Sequence, residues 1–163
     1  MKKFELTNEF IANRFGTKLF RIRALVEFGD VEAGELGGYV EKESNLGHDD
    51  NAWVYDNAWV YGDAQVSGDA QVSGDALVCG NGDYAYAHGF GSVNRTTTFF
   101  RLKDGGVGVR CGCFYGTLAQ FRDKIRATHG ETKKAQEYLM LADLMELRFE
   151  EDENEVGNRK YVE

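Results

Sequence analysis

From Asn51 to Gly80 the apolar and small positions recur every six residues through five hexads, NAWVYD, NAWVYG, DAQVSG, DAQVSG and DALVCG. Alanine occupies 52, 58, 64, 70 and 76, and valine 54, 60, 66, 72 and 78. Ala and Val are two apart in each hexad, so in an extended stretch both side chains point the same way. That side is the interior. Valine suits a flat wall, and alanine suits the place where the chain turns and leaves no room for more. The Gly, Asp and Asn residues that join one hexad to the next are corner residues, because they tolerate positive φ better than others do. The intervening positions, 53, 55, 59, 61, 65 and 67 among them, are then expected to face solvent.

A strict period of six in a chain without proline predicts a left-handed parallel β-helix, in which three hexads make one triangular coil of about 18 residues. Val40 and Leu46 carry the register upstream, before a two-residue insertion around His48-Asp49-Asp50. Downstream, the hexad 81–86 is degraded, with Gly82 in the alanine place and Tyr84 in the valine place. The helix therefore spans 37–86, under three coils. At about 4.8 Å per coil it is about 14 Å tall. The ends of so short a stack are unpaired strand edges and need caps.

The flanks supply them. Residues 1–36 contain the strand-like runs Lys3–Leu6 and Lys18–Leu25, read as a small β-hairpin or meander. In 87–149, Asp104-Gly105 between two β-rich runs signals a hairpin. Thr117 and Gln120 match a capping box at the start of a helix with Leu118, Phe121 and Ile125 on one face, stopped by Gly130. A second helix over about 132–149 has Ala135, Tyr138, Leu139, Ala142, Met145 and Phe149 as its apolar stripe. Residues 150–163 read as an acidic, frayed tail. The fold expected is mainly β, a short left-handed β-helix with an N-terminal β cap and a C-terminal hairpin plus two helices.

Charge narrows the function classes. The net charge of −8 argues against a general nucleic-acid surface. Part of it is the run Glu150-Glu151-Asp152-Glu153, a solvated tail or, as the sharper alternative, a mimic of nucleic acid. No secretory leader or membrane-spanning run is visible, and three cysteines without a framework spacing suit a reducing cytoplasm.

RIRAL…FGDVEAGELGGYVEKESNL, the NAWVY hexads and GCFYGTLAQF…THG together resemble a family of phage and prophage hexapeptide-repeat proteins with a left-handed β-helix, over roughly residues 4 to 149. The two flanks are the more specific part of the likeness. That family is mostly uncharacterised. The resemblance implies source and fold, and supplies no catalytic residue to carry over. Small phage proteins of this kind are often host-takeover or anti-defence factors, acting in the cytoplasm of a host bacterium.

The outward aromatics Trp53, Tyr55, Trp59 and Tyr61 would gather around one corner of the coil. They form a self-association or partner surface, or else the C-terminal helices cover them. His88, just past the repeat among glycines, is the one placed to act as a base if the chain resembles hexapeptide acyltransferases. A loop histidine at a cap junction is the plainer reading. His48, His88 and His129 do not have the spacing that the zinc carbonic anhydrases of this scaffold need. Cys111 and Cys113 on one strand, with Cys79, would make a zinc site only if three thiols converged, and buried apolar cysteines are the simpler reading. Gly105-Gly106-Val107-Gly108 lacks the Lys-Ser/Thr of a phosphate loop. Basic residues cluster in both caps: Arg14, Lys18, Arg21 and Arg23 in one, and Arg122, Lys124, Arg126, Lys133 and Lys134 in the other. Arg21, Arg23, Arg122 and Arg126 would line a pocket for a phosphorylated small ligand if caps of neighbouring subunits met. Otherwise they are solvated faces with local ion-pair partners.

The expectation is a non-catalytic binding protein, a dimer or trimer, that takes a host protein or sequesters a nucleotide-like ligand. No cofactor or metal is expected. The alternatives are an acyltransferase-like enzyme and a structural or assembly protein.

Overall fold

The computed structural model describes residues 2–91 and 95–150, so most of the acidic tail lies outside the described residues. The fold is mainly β, with several sheets and two α-helices at the C-terminal end. β1 (Phe4–Ala12) and β2 (Lys18–Ala24) form an antiparallel hairpin, and β2 pairs antiparallel with β3 (Leu36–Val40). Four two-residue strands follow from the hexads: β4 (Trp53–Val54), β5 (Trp59–Val60), β6 (Gln71–Val72) and β7 (Leu77–Val78).

These short strands pair in parallel across long stretches of chain. Val54 lies beside Val72, and Val60 beside Val78, each eighteen positions on. Val40 lies beside Val60 and Leu46 beside Val66, each twenty positions on. The two extra residues are the insertion at 48–50, which both longer intervals span. The chain thus returns to the same wall after every three hexads. All five alanines and all five valines of the repeat are at most 1% exposed, as the alternation requires.

The corners show why the hexads end as they do. Asp56, Gly62, Gly68 and Gly74 close successive hexads with φ between 59° and 71°. A carboxylate from an earlier turn of the chain caps the amide of three of them. Glu41 Oε1 accepts from Gly62 N at 2.9 Å, Asp50 Oδ2 from Gly68 N at 2.9 Å, and Asp56 Oδ2 from Gly74 N at 3.0 Å. Charge-assisted bonds of this kind are about twice as strong as neutral ones. Acidic residues at the corners therefore stitch each turn of the chain to the one three hexads later.

Both ends are closed. Phe4 and Ile22, from the N-terminal hairpin, join the alanine–valine core. Lys3 is buried beside them, and its ammonium donates to Asp50 Oδ1, Asp50 O and Ala52 O and lies 4.6 Å from the Phe28 ring centre. Burial holds its pKa below the ordinary lysine value against the opposing pull of Asp50. At the other end an antiparallel sheet runs in the order β11 (Phe114–Thr117), β10 (Val107–Cys111), β9 (Arg95–Arg101), β8 (Tyr84–Phe90). One hairpin was expected here, and four strands form. Phe100, from β9, is fully buried in the coil core, and Leu102 bridges to Ala76. The second face of this sheet carries α1 (Leu118–His129) and α2 (Lys133–Arg148). The capping box of Thr117 and Gln120 and the stop at Gly130 are both present.

The expectation that Trp53, Tyr55, Trp59 and Tyr61 face solvent is corrected here. Trp53 is 0% exposed and Tyr61 is 6% exposed, while Tyr55 and Trp59 are half-buried. The cover is not the helical pair. Trp53 packs edge-on against Phe4 and Phe28, at 6.3 and 5.3 Å between ring centres. Tyr61 lies with Leu19, Tyr39 and Leu77. Lys103 sits 4.4 Å from the Trp59 ring centre, and Arg110 sits 4.0 Å from that of Tyr55. Trp53 belongs to the same buried cluster as the alanines and valines of the repeat. The alternation is silent on what lies over these residues.

Trp53→Ala removes a ring that anchors the N-terminal cap to the coil. It is expected to lower unfolding stability by about 3–5 kcal/mol in guanidinium titrations, and an unchanged midpoint would refute the anchoring role.

Candidate functional site: a cationic cleft beside the helical cap

The tip of the β10–β11 hairpin is tight. Cys111 pairs with Phe114, leaving Gly112 and Cys113 as a two-residue loop, with Gly112 at φ 61°. Two-residue hairpin loops of this kind call for a glycine at their first position. The turn separates the two thiols expected to share one strand face, so that Cys111 is buried and Cys113 exposed. Cys79 stands apart, with its Sγ 3.3 Å from Asp83 Oδ2. Among the described residues no group of three His, Cys, Asp or Glu side chains is placed to hold a metal.

A cleft of about 560 Å³ opens between this hairpin tip, the start of β9 and the two helices. Its lining includes the rings of Phe114, Phe121 and Tyr138 and the cationic or imidazole groups of Arg95, Lys124 and His129. Each wall has a local cause. Phe121 belongs to the apolar face of α1, and its ring meets Phe99 of the sheet edge-on at 6.0 Å. Tyr138 belongs to the apolar stripe of α2, and meets Phe121 edge-on at 5.7 Å. His129, in the last turn of α1, stacks on Tyr138 at 5.9 Å and 27°. Arg95 opens β9, and its guanidinium packs over Gly112, where any side chain would collide with it. Among the described residues neither Arg95 nor Lys124 is paired with a carboxylate.

The deepest polar group is the Tyr138 hydroxyl, on a side chain 2% exposed. It lies 3.9 Å from Cys111 Sγ, which accepts from Thr97 Oγ1 at 3.3 Å. Burial, followed by the Cys111 thiol, pushes the Tyr138 phenol up to about 12, while Arg95 pulls the other way. The phenol therefore stays protonated across the physiological range and serves as a hydrogen-bond donor or acceptor, never as a base.

The four arginines read from sequence as ligand candidates, Arg21, Arg23, Arg122 and Arg126, lie elsewhere and are engaged. Arg21 Nε donates to Glu9 Oε2 at 2.9 Å, its Nη1 to Gly37 O at 2.7 Å, and its Nη2 to Tyr39 Oη at 2.6 Å. Its bonds, with one from Tyr39, pull the Glu9 carboxyl below its usual value. Arg23 pairs with Glu5. Arg122 bridges Asp143 and Glu146 and so ties α1 to α2, and Asp143 foremost raises its pKa further. Arg126 pairs with Asp123 at 3.6 Å. His88 is on β8, exposed, with Nδ1 2.7 Å from Thr96 Oγ1, and does not line the cleft. The cleft draws instead on Arg95, Lys124, His129 and Tyr138. Only Lys124 belongs to the basic cluster read from sequence. Lys124 and Thr128 are one turn apart on α1, but the approach of Arg95 and Tyr138 depends on strand pairing that no local pattern reveals.

No protein-family model matches the chain. A stretch of 62 residues is 37% identical to the uncharacterised acetyltransferase YdcK of Escherichia coli (strain K12) and covers 34% of this chain. The match spans only 19% of the E. coli protein. The likeness points toward hexapeptide-repeat proteins as a class. Among the described residues no helix is long and apolar enough to cross a membrane.

Titration of Tyr138 gives a pH test. Its folded pKa, about 12, is above the ordinary value of 10.0, so its contribution to stability is present below pH 10 and is lost as pH rises from about 10 to about 12. Unfolding experiments across that interval should show a steeper loss in the wild type than in Tyr138→Phe. Parallel slopes would contradict the burial of the phenol.

Proposed function

We propose that this chain is a non-catalytic binding protein and that the cleft beside the helical cap takes a small planar anion of nucleotide-like chemistry. The observation that carries the reading is the meeting of Arg95 and Lys124, neither paired with a carboxylate among the described residues, with the half-buried Phe114 ring in one space of about 560 Å³. A cavity of this size suits a small organic ligand. Guanidinium and ammonium groups recognise phosphate, and aromatic rings give a planar group a surface to lie on. In a chain of net charge −8, a local excess of cations is selective for an anion at that place.

The scaffold that presents the cleft is, in this proposal, a short left-handed β-helix. Its support is the six-residue repeat, the parallel pairs at eighteen-residue spacing and the corner geometry. The resemblance to phage and prophage proteins supplies the setting: a cytoplasmic protein of an infected bacterium that sequesters a host signal or holds a host protein.

A second reading, transfer of an acyl group, is favoured by the 62-residue likeness to a protein named as an acetyltransferase. His88 would be its base. Turnover of acetyl-CoA that disappears in His88→Ala would establish it, and an inert wild type would remove it.

For the binding reading, mass spectrometry under native conditions on protein gently purified from bacterial lysate is expected to show excess mass of a few hundred daltons per chain. Titration calorimetry with AMP, ADP and inorganic phosphate then tests the site. Arg95→Ala/Lys124→Ala should weaken nucleotide binding at least about tenfold, or about 1.4 kcal/mol. Binding unaffected by that pair, or no binding of any of the three probes, rejects the cleft as a nucleotide site.

A further inference from the structure

We infer that the cleft selects a phosphate monoester, which carries two negative charges, over a phosphodiester, which carries one; this rests on the cleft being the anion site proposed above. Charge balance sets the preference. Among the described residues the lining holds two permanent cations, Arg95 and Lys124, and no carboxylate. Its other polar side chains are thiols, hydroxyls and the His129 imidazole, which adds charge only when protonated. The carboxylates nearest in sequence to the helical wall, Asp123, Glu131 and Glu137, are exposed and do not line the cleft, and Asp123 pairs with Arg126. A ligand that brings one negative charge therefore leaves one of the two cations unmatched. A ligand that brings two matches both.

The two cations differ in kind and in origin. Arg95 comes from the start of β9 and packs over Gly112, which has φ 61° and no side chain to displace the guanidinium. Lys124 comes from α1. A guanidinium fork can meet two oxygens of one phosphate, while an ammonium acts as a point charge. A monoester at neutral pH has close to two charges, its second pKa being about 6, and three oxygens free to accept. Esterifying one of those oxygens removes a charge and an acceptor together. The half-buried Phe114 ring gives a planar group the same surface in either ligand, so it adds affinity without discriminating. Both cations are exposed, so the preference is electrostatic and salt screens it.

The test is titration calorimetry on the full chain at a pH of about 7.5, where the monoester holds both charges. It compares AMP with the phosphate methyl ester of AMP, which keeps the base and ribose and has one charge fewer. AMP is expected to bind at least about tenfold more tightly, with the gap narrowing as salt rises from about 0.02 M to about 0.5 M. Lys124→Ala, at an exposed position where the fold is expected to survive by circular dichroism, should weaken AMP several-fold more than it weakens the ester. Equal affinity for the two ligands overturns the inference and leaves the cleft a nucleotide site. So does a gap that salt does not change, which would mark the methyl group as a steric obstacle. Equal losses for both ligands in Lys124→Ala overturn the charge matching as well. If neither ligand binds, the cleft reading fails and the inference falls with it.

Discussion

Everything in this structure depends on the width of the coil interior. One alanine and one valine per hexad fill it, all at most 1% exposed, and a column so narrow buries little area per residue. Parallel pairing of two-residue strands holds each turn to the next but leaves a raw edge at both ends. The described residues on either side of the repeat answer that constraint. The N-terminal hairpin extends one wall and brings Phe4 and Ile22 into the core. The C-terminal sheet contributes Phe100 at the other end and carries the helices on its far face. The cleft is a by-product of this closing sheet: it lies between the sheet's hairpin tip, the start of β9 and the two helices.

Electrostatics divide along the same line. Carboxylates serve the coil, where Glu41, Asp50 and Asp56 cap corner amides, so the acidity of the chain has a structural use. Two of the four arginines singled out from sequence serve the joints: Arg21 fastens the hairpin to the coil, and Arg122 fastens one helix to the other. In the cleft, Arg95 and Lys124 have no carboxylate partner among the described residues. Counting basic residues by cluster therefore pointed away from the cleft, because clustered arginines tend to find clustered carboxylates.

The repeat, its inward alanines and valines, the insertion, the N-terminal hairpin and both helices were legible because each is a local pattern with a local cause. The two-residue insertion at 48–50 even shows as a change in pairing interval from eighteen to twenty. The fate of the outward aromatics was not legible. Whether Trp53 meets water or Phe28 depends on a loop 25 residues earlier in the chain, and alternation carries no information about it. The strands β8 and β11 were missed for a similar reason, since each is made a strand by its partners in the sheet. Cys111 and Cys113 were placed on one face because C-x-C reads as strand. Gly112 turns the chain between them instead.

The bond from Lys3 to Ala52 O joins residues 49 positions apart, and the bridge from Ala76 to Leu102 closes the opposite end later still. During synthesis, at about 5–20 residues per second, the first hairpin leaves the ribosome roughly 3–10 seconds before the coil it must dock on. The coil in turn emerges before Phe100, the residue that seals it. For that interval the nascent chain presents an open strand edge and an unfilled apolar column, the features that chaperones bind and that other unfinished chains pair with. Translation speed across residues 50 to 100 thus becomes a determinant of yield for this fold, set by the order in which its two seals arrive.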